Sequence, residues 1–476
     1  MDEPPAKRPV DEGESSDDDI PSYLQLVPAK KQKSASSDSY YLDTINRQVL
    51  DFDFEKVCLV TLSNVNPYCC LVCGKYFQGK SKSSPAYLHS LATDHHVFIN
   101  LGNESVHILP ENYEVVSPSA LESLRDITNV LAPKYPEGYV IPSQAHDLNR
   151  NEYRVGYIGL NNILNNDYSN VVLQAVAHVP LIRDFYLSLS HKKATRDSIA
   201  RKSLLNTSFG LLVQKLWSSH LFKGHISPHE FLQIISGESK NAFSTRRQES
   251  PKKFLVWLLN QLHSQLSRSI KSSKTPWSKS FQGSLEITTT GLSTRDSNNK
   301  VEFVEQNSNT ISTKYWVLTL DLPTNPVFSQ EGNFAEVALE DLLEKYNGTK
   351  SSGSSNSVKT YQLLQPMPPH LILHIDRGIE DGNKRGNQTV VKLPEVLDVS
   401  RFVKGAEEPI NYRLMSSVKY ELEPGTEIGR EDDRLSWSVG LRRGGEWINI
   451  HDLEVTESQT ELLFLDQNYI QIWEKV

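Results

Sequence analysis

Apolar residues along this chain follow two different spacings. Residues 254–263 place apolar side chains at helical intervals, whereas residues 316–320, 371–375 and 469–473 are short apolar runs typical of strands. The helical pattern comes before the strand patterns. We therefore expect an α+β fold, with helices in the first part of a large region and strands in its second part.

Polar stretches interrupt these patterns. Residues 1–38 are rich in acids, Ser and Pro, so they cannot bury enough apolar surface to offset chain entropy, and we predict a disordered tail. The basic pieces at residues 7–8 and 30–33 are either a nuclear import signal or a solvated charge run, and the sequence leaves both open. Residues 350–357 and 381–387 predict surface loops.

A segment rich in Pro and Gly divides the globular part of the chain. Pro133, Pro136, Gly138 and Pro142 follow one another closely and interrupt both helix and strand patterns. We therefore predict a small domain at residues 39–145 and a large domain at residues 150–476.

Composition and charge narrow the functional classes. The chain has 476 residues, 38% of them hydrophobic, which predicts two or three domains. A net charge of -8 argues against a strongly basic nucleic-acid binder, so direct RNA contact stays open but is not indicated. Because there is no run of about 18 apolar residues and the N-terminus is charged, we expect a soluble intracellular protein with no membrane partner.

All four cysteines lie between residues 58 and 73. Such clustering in a reducing compartment favours metal ligands over disulfides, and three thiolates with one imidazole would complete a closed, structural zinc site. The predicted ligands are Cys58, Cys70, Cys73 and His89, with His95 as the alternative histidine. Cys69 is expected to be a packed spare. The competing interpretation is a set of buried thiols and surface histidines that no metal connects.

The same stretch resembles a known domain. Residues 58–68, 70–79 and 95–101 are similar to the zinc-finger ubiquitin-binding-protein (ZnF-UBP) domain of the ubiquitin-specific-protease-like splicing factors associated with the tri-snRNP. In ubiquitin-binding members, an arginine after the Cys-Gly step helps to hold the free C-terminal carboxylate of ubiquitin. Lys75 stands there instead and cannot make the same two-pronged contact, which makes ubiquitin binding by this finger doubtful.

A second motif resembles the cysteine box of ubiquitin-specific proteases, Gly-Leu-x-Asn-x-Gly-x-Thr-Cys-Tyr-x-Asn. Residues 159–170 read Gly-Leu-Asn-Asn-Ile-Leu-Asn-Asn-Asp-Tyr-Ser-Asn. The resemblance places Asp167 at the nucleophile and Asn162 at the oxyanion-stabilising position. A carboxylate is a poor nucleophile toward an amide and would repel the oxyanion, although Asp at a helix start contributes about 1 kcal/mol to stability.

The general base of the family is also missing from its expected interval. No histidine lies between His374 and His451, and aligning residues 433–439 with the family puts Arg434 at the base position. Arg stays protonated and cannot accept a proton. His451 falls near the orienting acid, beside Asp452, and we interpret this pair as a surface turn rather than a residual dyad.

The resemblance implies a small zinc-binding domain followed by a papain-like thumb, palm and fingers fold, here catalytically inactive. Many active members carry two Cys-x2-Cys pairs for a second zinc in the fingers, and this sequence has none there. It implies a nuclear pre-mRNA splicing factor that supports assembly or stability of the spliceosomal tri-snRNP and contacts its proteins. The main alternative is a non-cleaving ubiquitin receptor that uses the protease-like palm. An active hydrolase with an unrecognised nucleophile and a direct RNA-binding protein are further alternatives.

Overall fold

A computed structural model describes most of the globular chain. The described residues are 41–297, 300–323, 335–354, 357–379, 386–423, 434–459 and 466–476. The predicted tail at residues 1–38 lies outside these ranges, as does most of the predicted loop at residues 381–387. Within the described ranges, every helix is too short or too polar to cross a membrane.

The N-terminal domain is a five-stranded antiparallel sheet with three short helices, and its strand order is β2-β1-β3-β4-β5. Its elements are β1 (Pro67–Cys70), β2 (Tyr76–Gln78), α1 (Pro85–Thr93), β3 (Val97–Asn100), β4 (Val106–Ile108), β5 (Tyr113–Glu114), α2 (Pro118–Ser123) and α3 (Arg125–Leu131). Helices α1 and α2 each begin with a proline. At this position the backbone N–H that proline lacks would have had no partner within the helix. Ile99 and Ile127 are fully buried in the core between the sheet and the helices.

A segment without helix or strand, residues 132–143, connects the two domains, as the Pro and Gly spacing predicts. Two short strands follow it, β6 (Gln144–His146) and β7 (Glu152–Arg154). The domains also contact each other directly, because Lys215 donates to the Phe52 carbonyl at 3.0 Å and to the Asp53 carboxylate at 2.7 Å. The side chain of Lys215 is only 7% exposed, so this ion pair is buried at the junction.

The first half of the large domain is mainly helical. Its elements are β8 (Gly159–Leu160), α4 (Asp167–Ala177), α5 (Pro180–Ser188), α6 (Lys193–Ala200), α7 (Leu204–Leu216), β9 (His225–Ile226), α8 (His229–Glu238), α9 (Pro251–Ile270) and α10 (Pro276–Phe281). Every residue of α4 is buried, so this helix lies at the centre of the domain. Residue 167 is its first residue.

Helix α9 shows why the apolar spacing at residues 254–263 predicts a helix. Phe254, Leu258 and Leu262 recur every four residues and are all fully buried on one face. The Ser250 hydroxyl accepts from the backbone N–H of Lys253 and caps the helix start, and the helix ends at Lys271 in the left-handed conformation.

The second half of the large domain is mainly sheet. Its elements are β10 (Gly283–Ser297), β11 (Lys300–Tyr315), β12 (Val317–Asp321), β13 (Glu336–Ala338), α11 (Leu339–Leu343), β14 (Asn347–Ser354), β15 (Ser357–Leu364), β16 (His370–Asp376), β17 (Val390–Lys392), β18 (Leu397–Asp398), β19 (Asn411–Glu423), β20 (Arg434–Arg443), β21 (Glu446–His451), β22 (Glu454–Ser458) and β23 (Asn468–Lys475). The largest sheet has the order β12-β16-β23-β19-β20-β21-β22, with β18 paired to β19. Helix α4 packs against β20 and β19 of this sheet.

The order of helices before strands confirms the α+β prediction, and β12, β16 and β23 coincide with the three predicted strands. The prediction of a surface loop at residues 350–357 is wrong, because β14 and β15 pair as an antiparallel hairpin there. Ser and Gly have low strand propensity, but this hairpin continues a ladder that already includes β10, and pairing overrides the local composition.

Candidate functional site

Four metal-binding side chains lie together in the N-terminal domain. They are Cys70, Cys73, His89 and His95, whose ligand atoms all lie within 4.8 Å of one another. Three of the separations are 3.6 Å from Cys70 Sγ to His95 Nδ1, 3.4 Å from Cys73 Sγ to His89 Nε2, and 3.2 Å between His89 Nε2 and His95 Nδ1.

These separations fit a single tetrahedral zinc ion. With Zn–S of about 2.3 Å and Zn–N of about 2.05 Å, tetrahedral geometry requires S···N of about 3.5 Å and N···N of about 3.3 Å. The Cys70 thiol also donates toward Cys73 and thereby lowers the pKa of Cys73, which favours the thiolate form that binds metals. The group therefore has the spacing and the donor types of a closed zinc site.

Local backbone geometry brings the four side chains together. Cys70 ends β1, and the turn to Cys73 is completed by Gly74, whose φ of 74° and close approach to Val49 O leave no room for a Cβ. His89 lies on α1, and the next residue after that helix, Asp94, has φ of 58°. This left-handed end reverses the chain and places His95 beside His89.

The structure differs from the sequence prediction at one ligand. Cys58 lies outside the group of four, and its sulfur instead accepts from the backbone N–H of Thr61 at 3.4 Å. Its own backbone pairs with Ser63 and Leu62, so Cys58 is the buried base of a tight turn. His95 joins His89 rather than replacing it, because the left-handed turn at Asp94 after α1 brings His95 back beside His89. Cys69 is fully buried in the core and not in the group.

The protease-like centre is built around Asp167 at the start of α4. Its carboxylate is 2% exposed, and Oδ2 accepts from Gln248 Nε2 at 2.7 Å, while Oδ1 is buried with no hydrogen bond among the described residues. Gln248 Nε2 also donates to the Leu435 carbonyl of β20 at 2.8 Å. Burial raises the pKa of Asp167, and the Gln248 contact only partly opposes this.

The loop before α4 is held by asparagine side chains. Asn162 Nδ2 donates to Asp452 Oδ2 at 2.9 Å, and Asn162 Oδ1 accepts from the backbone N–H of Asn166. Asn166 in turn accepts from the Ile163 N–H at 2.7 Å. The amide at the oxyanion-stabilising position is therefore already paired with a carboxylate.

On strand β20, the residue that contacts His451 is not the one that the sequence predicts as the counterpart of the general base. Arg434 is exposed at the first position of β20, whereas Ser436 lies 2.7 Å from His451 Nε2 through its hydroxyl. In the family, the base contacts the orienting residue, and His451 lies where that residue is expected. Ser436, rather than the exposed Arg434, is therefore the β20 residue beside His451. The β20–β21 register pairs Val439 with Ile450, so the His451 side chain reaches Ser436 diagonally across the two strands.

Comparison with known proteins places this geometry in a family. The model described as "Ubiquitin carboxyl-terminal hydrolase" matches residues 158–473, and the model described as "Zn-finger in ubiquitin-hydrolases and other protein" matches residues 57–120. The first match covers well over half of the chain. The chain belongs to the ubiquitin carboxyl-terminal hydrolase family.

Several relatives within this hydrolase family span nearly the whole chain. "Ubiquitin carboxyl-terminal hydrolase 39" of Homo sapiens is 36% identical, with 98% of this chain and 85% of that protein covered. "Pre-mRNA-splicing factor SAD1" of Saccharomyces cerevisiae is 33% identical, with 95% and 97% covered. A solved structure described as "Crystal structure of an essential yeast splicing factor" is 30% identical and has a TM-score of 0.73 over 92% of this chain and 99% of that chain.

Two residues of the hydrolase-like centre were not found by sequence reasoning. Ser436 could have been found from the sequence, because a polar residue followed by an aromatic residue, Ser436-Trp437, is similar to the His-Tyr step that contains the general base in the family. Gln248 had none, since it lies in a loop 81 residues from Asp167 along the chain and belongs to no motif. Only the tertiary structure brings its amide to the carboxylate.

Proposed function

We propose that this protein is a non-catalytic member of the hydrolase family that acts in the nucleus as a pre-mRNA splicing factor, supporting assembly or stability of the spliceosomal tri-snRNP. The observation that carries the non-catalytic part is the buried Asp167 carboxylate, held by Gln248 where a thiolate would attack. Relatives named as splicing factors, matched along almost their full length, support the splicing part.

The other groups of the centre agree with this proposal. An acyl-transfer site needs a nucleophile, a base and a free oxyanion donor. Here Ser436 replaces an imidazole, and the Asn162 amide is paired with Asp452. A ubiquitin linkage placed at this centre would meet a carboxylate, and the Asn162 amide is already oriented by its bond to Asp452.

We also propose that Cys70, Cys73, His89 and His95 hold one structural zinc ion. Four protein ligands leave no position for a reacting water, so the ion would supply folding energy rather than catalysis. The exposed Lys75, beside this group, agrees with loss of the two-pronged carboxylate contact.

The non-catalytic part of the proposal is tested by incubating the purified full chain with a fluorogenic ubiquitin amide. A catalytically competent family member is the positive control. We expect no release of fluorophore and no covalent adduct with a ubiquitin electrophile probe. Release above the buffer rate would overturn the non-catalytic assignment.

The splicing part is tested by affinity purification of the full chain from nuclear extract, followed by identification of the RNAs and proteins that co-purify. We expect the U4, U5 and U6 RNAs with tri-snRNP proteins, and loss of tri-snRNP after depletion of the protein. Co-purification of ubiquitin conjugates without these RNAs would favour the ubiquitin-receptor alternative.

One contact favours a second candidate function. A serine hydroxyl 2.7 Å from an imidazole, as between Ser436 and His451, is the pairing of a nucleophile with its base in serine hydrolases. A fluorophosphonate probe distinguishes the two functions, because labelling that disappears in Ser436→Ala would indicate a serine hydrolase. We expect no labelling.

A further inference from the structure

A groove of about 480 Å³ lies at the junction of the two domains. One side comes from α3 and the connector that follows it, including Arg125 and Lys134. The other side comes from the ends of α5 and α7 in the large domain, including His191 and His220. The groove is distinct from both the Cys/His group and the Asp167 centre.

The charged side chains that line the groove are all basic. Arg125, Lys134, His191 and His220 all line it, and the lining residues that the structure describes include no Asp or Glu. The remaining lining side chains are mostly hydroxyl-bearing or proline residues. Such a lining suits an anionic ligand and would repel a cation.

Arg125 and Lys134, the two permanently charged cations of the lining, each have an acidic partner outside the groove, and both pairs are weak. Arg125 contacts Glu122 at 3.1 Å with 67% and 71% of their side chains exposed, and Lys134 contacts Glu104 at 2.5 Å with 61% and 28% exposed. Exposed ion pairs of this kind contribute about 0–1 kcal/mol. An incoming carboxylate can therefore share or replace either partner at little cost.

The two imidazoles that line the groove each contact a neighbouring oxygen through Nδ1, the Tyr135 carbonyl for His191 and the Ser219 hydroxyl for His220. His191 Nδ1 lies 3.0 Å from the Tyr135 carbonyl, which fixes the ring with its proton on that nitrogen when neutral. Burial, and to a smaller extent the nearby Arg125, lowers the pKa of His220, so this imidazole is mainly neutral at neutral pH and the positive charge of the lining comes from Arg125 and Lys134.

We propose that this groove binds an acidic peptide, and that its occupant is the acidic segment at residues 11–19 of the same chain. That segment carries six carboxylates in nine residues and no basic residue, the densest acidic run in the sequence. Its charge is complementary to the lining. Two permanent cations in the lining offer few contacts to a phosphate backbone, which favours a short acidic peptide over RNA as the occupant.

The chain length permits this docking. About 20 residues separate the acidic segment from Tyr41, where the described structure begins, and they can extend to roughly 70 Å. A tether of this length keeps the segment at an effective concentration on the order of 1 mM near the domain surface. Even weak contacts in the groove would therefore be occupied much of the time.

Zero-length carbodiimide coupling of the full chain tests the proposal, because it joins only a carboxylate and an amine in contact. We expect peptides that link Lys134 to residues 11–19, in several-fold greater yield than links from Lys404. Lys404 is a matched control, since it is also an exposed lysine in an ion pair, with Glu286 at 2.8 Å. The Lys134–Glu104 and Lys404–Glu286 links serve as internal references.

Variants and mixing experiments make the outcome decisive. Arg125→Glu should lower the Lys134 links several-fold, Lys404→Glu should leave them unchanged, and replacement of Asp17, Asp18 and Asp19 by Asn should remove most of them. Equal yields at Lys134 and Lys404 would overturn the proposal. Links between isotope-labelled and unlabelled copies would show docking on a second chain instead, and displacement by a short oligouridine strand at equal concentration would reassign the groove to RNA.

Discussion

The Cys/His group and the Asp167 centre differ both in the span of sequence they use and in what their side chains can do. The first lies within residues 70–95, whereas the second brings together residues between 162 and 452. In the first, four soft donors converge at the distances that one zinc ion requires. In the second, the side chains at the catalytic positions bind one another: Asp167 with Gln248, Asn162 with Asp452, and Ser436 with His451. This difference supports the proposal that the Cys/His group binds a metal while the Asp167 centre is non-catalytic.

The largest effect is expected when a ligand is removed from the Cys/His group, which leaves the Asp167 centre unchanged. His95→Ala should abolish zinc binding and unfold the N-terminal domain, because a structural zinc contributes on the order of 10 kcal/mol to folding. Zinc content by mass spectrometry of metals and thermal unfolding would measure this.

Neighbouring side chains provide the controls for that experiment. His96→Ala and Cys58→Ser should keep one zinc per chain, since His96 contacts the Leu109 carbonyl and Cys58 lies in its own turn. Loss of zinc in Cys58→Ser, with retention in His95→Ala, would restore the ligand set predicted from the sequence.

A smaller effect is expected at the contact between the two domains that carry these sites, where Lys215 pairs with Asp53. Lys215→Ala leaves the Asp53 carboxylate without its buried cation, which should lower the free energy of unfolding by about 3 kcal/mol. Lys223→Ala is the matched control, because its pair with Asp51 is more exposed and should cost under about 1 kcal/mol. Equal costs in urea unfolding would contradict a buried role for Lys215.

A still smaller effect concerns the charge of Asp167. Because burial raises its pKa, the folded chain binds this proton more tightly than the unfolded chain. The resulting stabilisation is present at low pH and is lost as the pH rises through the folded pKa. Asp167→Asn should therefore gain about 1 kcal/mol relative to the wild type between about pH 4 and neutral pH. Urea unfolding at several pH values would measure this, and a gap that widens toward low pH would contradict it.

The smallest expected effect is on turnover. Asp167→Cys should leave hydrolysis of a fluorogenic ubiquitin amide at the background rate, because Ser436 cannot act as a general base, a role that contributes about 10²–10⁴-fold. Adding Ser436→His sharpens the comparison by supplying an imidazole at that position. Turnover by the single variant would show that the positions around Asp167 are assigned incorrectly.

Much of the fold could be predicted from local patterns. The spacing of Phe254, Leu258 and Leu262 predicts α9, and the apolar run at residues 371–375 predicts β16, because burial periodicity is a local property of the chain. The hairpin at residues 347–364 could not be predicted in this way. Its Ser-rich strands form because β10 offers a ladder to pair with, which is a long-range contact.

The sequence by itself determined that the cysteines cluster before residue 74 and that Asp, not Cys, occupies position 167. It also determined that residues 1–38 are rich in charged residues, Ser and Pro whereas residues 150–476 contain the apolar runs of a folded domain, because composition is a local property of the chain. Only the tertiary structure decided that His95 joins His89, that Ser436 meets His451, and that Gln248 reaches Asp167. The His89–His95 contact depends on the left-handed end of α1, a backbone conformation that the apolar pattern does not specify. The other two contacts depend on where strands and a loop pack, which is decided by segments far apart in the chain rather than by neighbouring residues.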